Sequence, residues 1–188
     1  MKTNLLPALR LTLVCILFFS GVYSAIVWGM ALAIAPNGGK GETVQVNGKT
    51  VGYALIGQKF TDDKYFWSRP SAVDYNAASS CGSNKGPSNP DYLALVQARL
   101  DTFLAHNLTV AKQDVPAELI TASGSGLDPD LSPKAALIQV ERIAKLRNIS
   151  KQKLVDLVNS KTQKPVLGLM GTAHVNILQL NIALDNLK

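Results

Sequence analysis

Three short stretches of this chain carry residue types that could do chemistry, and each is missing a part its reaction needs. Ser123-Gly124-Ser125-Gly126 offers two hydroxyls in a flexible loop, with His106 and His174 as the available bases. A nucleophilic serine on a strained elbow needs Gly two residues to either side. Ser123 has Thr121 and Ser125 there, and Ser125 has Ser123 and Leu127. The segment therefore reads as a Gly/Ser turn between a strand and a helix. Gly48-Lys49-Thr50 has the ending of a phosphate-binding loop, but that loop needs a Gly five positions before its second Gly. Position 43 is Thr43.

Thr50-Val51-Gly52-Tyr53-Ala54 matches the TVGYG potassium-filter loop at four positions out of five. Such a filter needs four loops presenting backbone carbonyls, set in a membrane. No pore helix precedes this stretch, and a hairpin strand accounts for it. With two His and two Cys in 188 residues, a metal site is not expected. Cys15 and Cys81 are far apart in character, and no intrachain disulfide is expected. No catalytic residue and no directly bound cofactor emerge from the residues alone.

The elements that would position these residues divide sharply. From Leu11 to Ala35 there is no charged side chain. About 20 apolar residues suffice to cross a bilayer core, and a helix satisfies its own backbone there. This concentration of apolar residues at one end explains a composition that is 47% hydrophobic with a mean hydropathy of +0.12. Lys2 and Arg10 precede the run without an acidic neighbour, which predicts a cytoplasmic N-terminus and an external remainder. A cleaved signal peptide is the competing reading, with Ala31-Leu32-Ala33 or Ala33-Ile34-Ala35 as the cleavage site. Its apolar region would be only about 7–15 residues long. The expected division is thus a cytoplasmic segment 1–10, a transmembrane helix 11–35 and an outer domain 36–188.

Within the span, Gly21, Ala25, Gly29 and Ala33 recur every fourth residue. Such a stripe lets a second helix approach closely. Setting aside Lys2 and Arg10, 17 of the 19 basic residues face 13 acidic ones in the outer part, a net charge near +4. These charges are scattered and carry no aromatic–Arg platform, so nucleic acid is not an expected partner.

In the outer part, Thr43–Val46 and Thr50–Ala54 flank Asn47-Gly48, which predicts two antiparallel strands joined by a tight turn. A long irregular stretch follows from about 61 to 89, rich in Ser, Asn, Gly and Pro. Its aromatics Tyr65, Phe66, Trp67 and Tyr75 need burial or a partner. Asn89-Pro90 opens a helix with Leu93, Val96, Leu100, Phe103 and Leu104 on one face. Ser132-Pro133 opens a second, with Leu137, Val140, Ile143 and Ala144 inward, and Ser150 caps a third bearing Leu154, Leu157 and Val158. Val166–Leu169 is expected as a strand. Val175–Leu187 fits a helix, with a strand over its first half nearly as good. The class is a single transmembrane helix followed by a compact α/β or α+β domain outside the cytoplasm.

Four segments, in order, cover nearly all of that domain: Tyr65-Phe66-Trp67-Ser68-Arg69-Pro70-Ser71-Ala72, Gly82-Ser83-Asn84-Lys85-Gly86-Pro87-Ser88-Asn89-Pro90, Thr121-Ala122-Ser123-Gly124-Ser125-Gly126-Leu127-Asp128-Pro129, and Val175 through Asp185. Together with the span they resemble the C subunits of the bacterial Kdp potassium-transporting ATPases. Lys85, Asp130, Ser68 and Cys81 stand where Leu, His, Gly and Gly are common in that family, and Asp130 weakens any role needing an imidazole.

The resemblance implies an accessory subunit in the bacterial inner membrane rather than a catalyst. Its expected partners are a channel-like A subunit that selects potassium, a P-type ATPase B subunit that hydrolyses ATP, a small F subunit and the lipid bilayer. ATP and potassium are then used by the complex. The C subunit is needed for assembly and acts as a catalytic chaperone that raises the ATP affinity of the B subunit. On this reading Tyr65, Trp67 and Arg69, with Ser83, Asn84 and Asn89, form the outer surface that seats on the A subunit. The competing use of the aromatics is to close the domain's own core. The loop Ser123, Gly124, Ser125, Gly126 and Asp128 belongs to a family motif whose role stays open. A free-standing, membrane-tethered ligand-binding or hydrolytic domain is the alternative function.

Overall fold

A computed structural model describes residues 2–187; Met1, Lys188 and the side chains of Lys2 and Thr3, including the flanking charge of Lys2, lie outside the described residues. The chain separates into two units, Met1–Glu42 and Thr43–Lys188.

The first unit is helical: α1 (Lys2–Ile16), a π-helical segment (Leu17–Tyr23) and α2 (Ser24–Ile34), with no break in the winding between them. Its stretch Asn4–Ile34 is long and apolar enough to cross a membrane, and none of it is buried by protein. The helix itself begins ahead of Leu11 and takes in Arg10, because a single charge does not interrupt a helix whose neighbours are apolar. It ends at Ile34 because Pro36–Gly39 turns into a 3₁₀ helix, with Asn37 and Gly38 in left-handed conformation. In the wider turn the Ser24 hydroxyl donates to the Phe19 carbonyl, 3.1 Å away, and so satisfies an oxygen the widened spiral frees. Ala25, Gly29 and Ala33 share α2, whereas Gly21 lies in the π-helical turn, where the four-residue spacing rotates differently.

The second unit opens with the hairpin β1 (Thr43–Val46) and β2 (Lys49–Tyr53). Asn47 and Gly48 both take positive φ, 52° and 76°, as a tight hairpin turn requires. After the irregular stretch come α3 (Pro90–His106), β3 (Asp130–Leu131), α4 (Pro133–Leu137), α5 (Val140–Arg147), α6 (Lys151–Lys161), β4 (Val175–Asn176) and α7 (Ile177–Asp185). The starts of α3, α4, α6 and α7 share one device: Asn89, Ser132, Ser150 and Asn176 each accept a hydrogen bond from a first-turn amide. β3 and β4 pair antiparallel through Asp130–Asn176 and Leu131–Val175. This two-residue ladder sits among helices whose buried faces supply Ile143, Leu154, Val158, Leu180 and Leu184 to one core.

Four expectations change. The helix opened by Ser132 is two helices, because Ile138 and Gln139 interrupt it before α5. Leu93 is exposed rather than core-facing, since the first turns of α3 extend beyond the residues that bury Leu100 and Phe103. Val166–Leu169 is a turn closed by a single bridge, Val166–Met170, because Leu167 and Gly168 take positive φ that no strand admits. The segment from Val175 is extended for two residues only; Asn176 then caps a helix.

Candidate functional site

The four long motifs come together as one seam. Motif 65–72 runs as extended backbone between the loop 121–129 and α7. Asn181, fully within α7, accepts from the Phe66 amide at 2.9 Å and donates to the Phe66 carbonyl at 3.0 Å, pairing with that residue as a strand would. Tyr65 Oη donates to Asp185 at 3.0 Å, and the Arg147 guanidinium reaches the same carboxylate at 2.7 Å while lying over the Tyr65 ring. Phe66 itself is wholly buried. Burying one such side chain contributes about 1.5–3 kcal/mol, so this motif anchors the domain.

Further along, Arg69 meets Asp128 at 2.8 Å, both half-buried. Ser71 Oγ donates to the Gly126 carbonyl at 2.7 Å, and the Ser123 amide donates to the Pro70 carbonyl at 3.3 Å. Ser123 is buried and its Oγ accepts from the Gly126 amide at 3.0 Å; Ser125 Oγ accepts from the Leu127 amide at 3.1 Å. Both hydroxyls thus shape the loop. Gly126 has φ +69°, and a Cβ there would stand 2.6 Å from Val73 Cγ2 and 2.9 Å from the Cys81 carbonyl oxygen. Only Gly fits. The second motif meets this loop at Gly82, where a Cβ would stand 3.0 Å from the Gly124 carbonyl oxygen; just ahead of the motif, Ser80 Oγ donates to the Ser125 carbonyl at 2.9 Å. Asn89 serves as the α3 cap, whereas Ser83 and Asn84 are exposed. Gly124 is exposed at the loop's crest.

Neither histidine is bonded to these serines. His106 Nδ1 lies 2.8 Å from Asp63 and its ring lies against Trp67; His174 Nε2 is 4.0 Å from Asp130. Burial raises the Asp130 carboxyl above its ordinary value, against the opposing pull of His174. Among the described residues no group of three His, Cys, Asp or Glu is arranged to hold a metal ion.

A polar knot that the sequence did not announce fixes the aromatic motif from behind. Gln139, fully buried, accepts from the Trp67 amide at 2.8 Å and from Arg142 Nη2 at 2.9 Å. Arg142, also buried, donates through Nε to Asn107 at 3.0 Å, through Nη1 to the Asp63 carbonyl, and lies over the Trp67 ring. Burial lowers the Arg142 pKa to about 10, opposed by the charges of Asp63 and Asp62. Gln139 and Arg142 stand three apart on one helical side, and Asn107 ends α3; polar residues inside otherwise apolar periodicity were the only available signal.

Beside the seam lies a cavity of about 430 Å³ walled by Phe60, Trp67, Tyr75, Phe103 and Leu119, with Arg69 and Arg99 on its rim. Arg99 has one hydrogen bond, a 3.4 Å contact to the Ile120 carbonyl, and Arg69 Nε is buried without a partner among the described residues. Lys59 and Asp74, paired at 2.7 Å, also line it; its apolar wall and the two guanidinium groups can bind an apolar or acidic group.

A family model described as "K+-transporting ATPase, c chain" (KdpC) matches residues 5–186. The potassium-transporting ATPase KdpC subunit of Flavobacterium psychrophilum is 55% identical over 185 residues, covering 98% of this chain and 99% of that protein. The corresponding subunit of Flavobacterium johnsoniae is 56% identical over 185 residues, with the same coverage. That of Bacteroides fragilis is 52% identical over 190 residues, covering 100% of this chain and 99% of its own.

Proposed function

The chain belongs to the KdpC family of K+-transporting ATPase c chains, and on that premise we propose that it is a non-catalytic accessory subunit that holds the transporter together and raises the ATP affinity of its ATPase subunit. The observation that carries this reading is the extent of the match: residues 5–186 include the apolar helix and the folded domain together. One span cannot enclose a pore, so conduction belongs to a partner. The partners are a channel-like A subunit, the ATP-hydrolysing B subunit and the small F subunit, in the bacterial inner membrane.

The N-terminal segment 1–10 is cytoplasmic, the helix 11–35 spans the bilayer and the domain 36–188 is periplasmic. ATP is cytoplasmic, so an outer domain acts on the nucleotide site indirectly, through the helix and the A subunit. Gly21, Ala25, Gly29 and Ala33 form the helix face that packs on partner helices. In support, a Cβ built at Gly29 would have open space within 4 Å among the described residues of its own helical unit. The outer contact is made by the 65–69 and 83–89 segments, with Tyr65, Trp67, Arg69, Ser83, Asn84 and Asn89, next to the Ser123–Asp128 loop.

The test is co-purification in mild detergent. Tagged protein should elute with a multi-span ATPase, and Gly29→Ile should weaken that association while the outer domain melts unchanged. Elution alone, with a ligand of its own, would refute the subunit reading in favour of a free-standing tethered domain. Exposed Cys81 tests topology: it should label in intact spheroplasts, and protection until permeabilisation would refute the orientation.

A further inference from the structure

The turn that replaces the expected strand at 166–169 is the most apolar exposed feature of the folded domain. Val166, Leu167, Leu169 and Met170 project from it, with Leu167 87% and Leu169 89% exposed. A soluble surface scatters such residues singly; four adjacent ones mark a contact. The turn is well built: Val166 and Met170 exchange backbone hydrogen bonds at 2.9 and 3.0 Å, and Gln163 and His174 do the same below them at 2.8 and 3.1 Å. Leu167 is held at φ +55°, a left-handed conformation costly for a leucine. The fold thus spends backbone strain on keeping a large apolar side chain at an exposed tip.

Two observations say what covers it. First, charge. Lys161 and Lys164 lead into the turn, are exposed and join no ion pair among the described residues. No acidic residue occurs in sequence between Asp156 and Asp185, and the carboxylate recorded at the turn's base is Asp130, 4.0 Å from His174 Nε2. An apolar tip on a basic collar complements an anionic lipid surface, where each nearby cation adds to binding. Second, placement within the domain. Thr43, where the chain enters the domain, pairs with Tyr53; the next residue, Ala54, accepts from Asn176 Nδ2 at 2.8 Å; and Asn176 lies two residues from the His174 bridge. The base of the 163–174 turn is therefore linked to the entry strand through Ala54 and Asn176. Only residues 35–42 separate Thr43 from the apolar helix, a reach of at most about 28 Å.

We propose that the Val166–Met170 turn is a second, peripheral membrane contact, an apolar wedge entering the headgroup–acyl boundary of the leaflet from which α2 emerges, with Lys161 and Lys164 on anionic headgroups. This rests on the reading of Asn4–Ile34 as a membrane span. The wedge fixes how the domain sits on the bilayer, which a flexible tether alone leaves free.

Fluorescence quenching by lipid-borne quenchers tests it on the full chain in vesicles containing phosphatidylglycerol. A polarity-sensitive probe is attached at Leu169→Cys in a Cys15→Ser, Cys81→Ser background, with Ile26→Cys as the membrane control and Ser83→Cys as the aqueous one. Leu169 is exposed, so the probe leaves the core intact. The expected result is blue-shifted emission and at least twofold quenching at 169 by a shallow quencher. Both should weaken in phosphatidylcholine alone or with Lys161→Gln/Lys164→Gln. Water-like, unquenched emission at 169 with Ile26 quenched would overturn the wedge and leave the anchor standing. Shielding at 169 only after the other ATPase subunits are added would also overturn it, in favour of a protein contact. Loss of quenching at Ile26 would overturn the anchored reading and the wedge with it.

Discussion

Replacing Gln139 by Leu isolates the polar knot, because the two side chains have similar volume and the site is fully buried. Among the described residues the side-chain oxygen of Gln139 is the acceptor for the Trp67 backbone N–H and one of the acceptors for Arg142. Leucine leaves both donors facing apolar surroundings. An orphaned backbone amide costs about 1–3 kcal/mol, and a hydrogen bond to a charged group is worth about 1.5–3 kcal/mol. Arg142 keeps Asn107 and the Asp63 carbonyl, so the lower part of that second range applies. The expected loss is about 3–5 kcal/mol. For a domain of this size each kcal/mol moves Tm by about 2–4 °C, which predicts a drop of about 6–20 °C. Urea unfolding of the detergent-solubilised full chain, followed by near-UV circular dichroism, measures the free energy. Hydrogen exchange at the Trp67 amide reports the site itself, and its protection should fall ahead of the rest of the core. Gln152→Leu is the control: among the described residues Gln152 bonds Asp156 on an exposed helix face, so its loss should stay below about 0.5 kcal/mol. A Gln139→Leu protein within about 1 kcal/mol of the parent, or one that keeps the Trp67 amide protected, would refute the account.

Three further outcomes follow from the seam. Gly126→Ala should destabilise by about 2–4 kcal/mol, combining left-handed strain of about 1–2 kcal/mol with overpacking against Val73; Gly48→Ala, whose Cβ meets open space, should cost only about 1–2 kcal/mol, and equal urea midpoints would refute the difference. Tyr75 donates to the Arg69 carbonyl, and burial pushes its phenol up to about 12. The fold therefore favours the protonated form: its contribution is complete below the ordinary tyrosine value near 10 and is lost as pH rises through about 12. A late phenolate absorbance step should be present in the parent and vanish in Tyr75→Phe; a parent titration unchanged by that substitution would contradict this. A double-mutant cycle on Arg69→Met and Asp128→Asn should give a coupling near 1 kcal/mol that weakens with salt, because the 2.8 Å pair is half-buried.

Local features were legible because their signals are local. The uncharged run from Leu11, the Asn47-Gly48 turn and the Asn89, Ser132 and Ser150 helix starts act within a few residues of where they stand. The Val166–Leu169 segment differs for a related reason: Val and Leu there have the composition of a strand, and the positive φ of Leu167 leaves no trace in composition. The break at Ile138–Gln139 and the polar knot were hidden more deeply. Gln139 reaches Trp67 across 72 residues and Asn181 reaches Phe66 across 115. Nothing at either end of such a pair says that the other exists. Asn181 looked like an interruption of an apolar helix, yet it is what lets the helix pair with an extended segment.

This long-range wiring bears on how the outer partner surface should be sought. Tyr65, Trp67 and Arg69 are bound inward, to Asp185, Gln139 and Asp128 respectively. Substituting any of them disturbs the fold whether or not it also removes a partner contact, so lost assembly would not separate the two causes. Asn89 has the same ambiguity as the α3 cap. Ser83, Asn84 and Gly124 are different: they are exposed, and the bonds that close the seam run through their neighbours. A partner that recognises the seam meets it at those positions. Bulky replacements there are therefore the informative ones, since they can block docking while the domain's stability stays where it was.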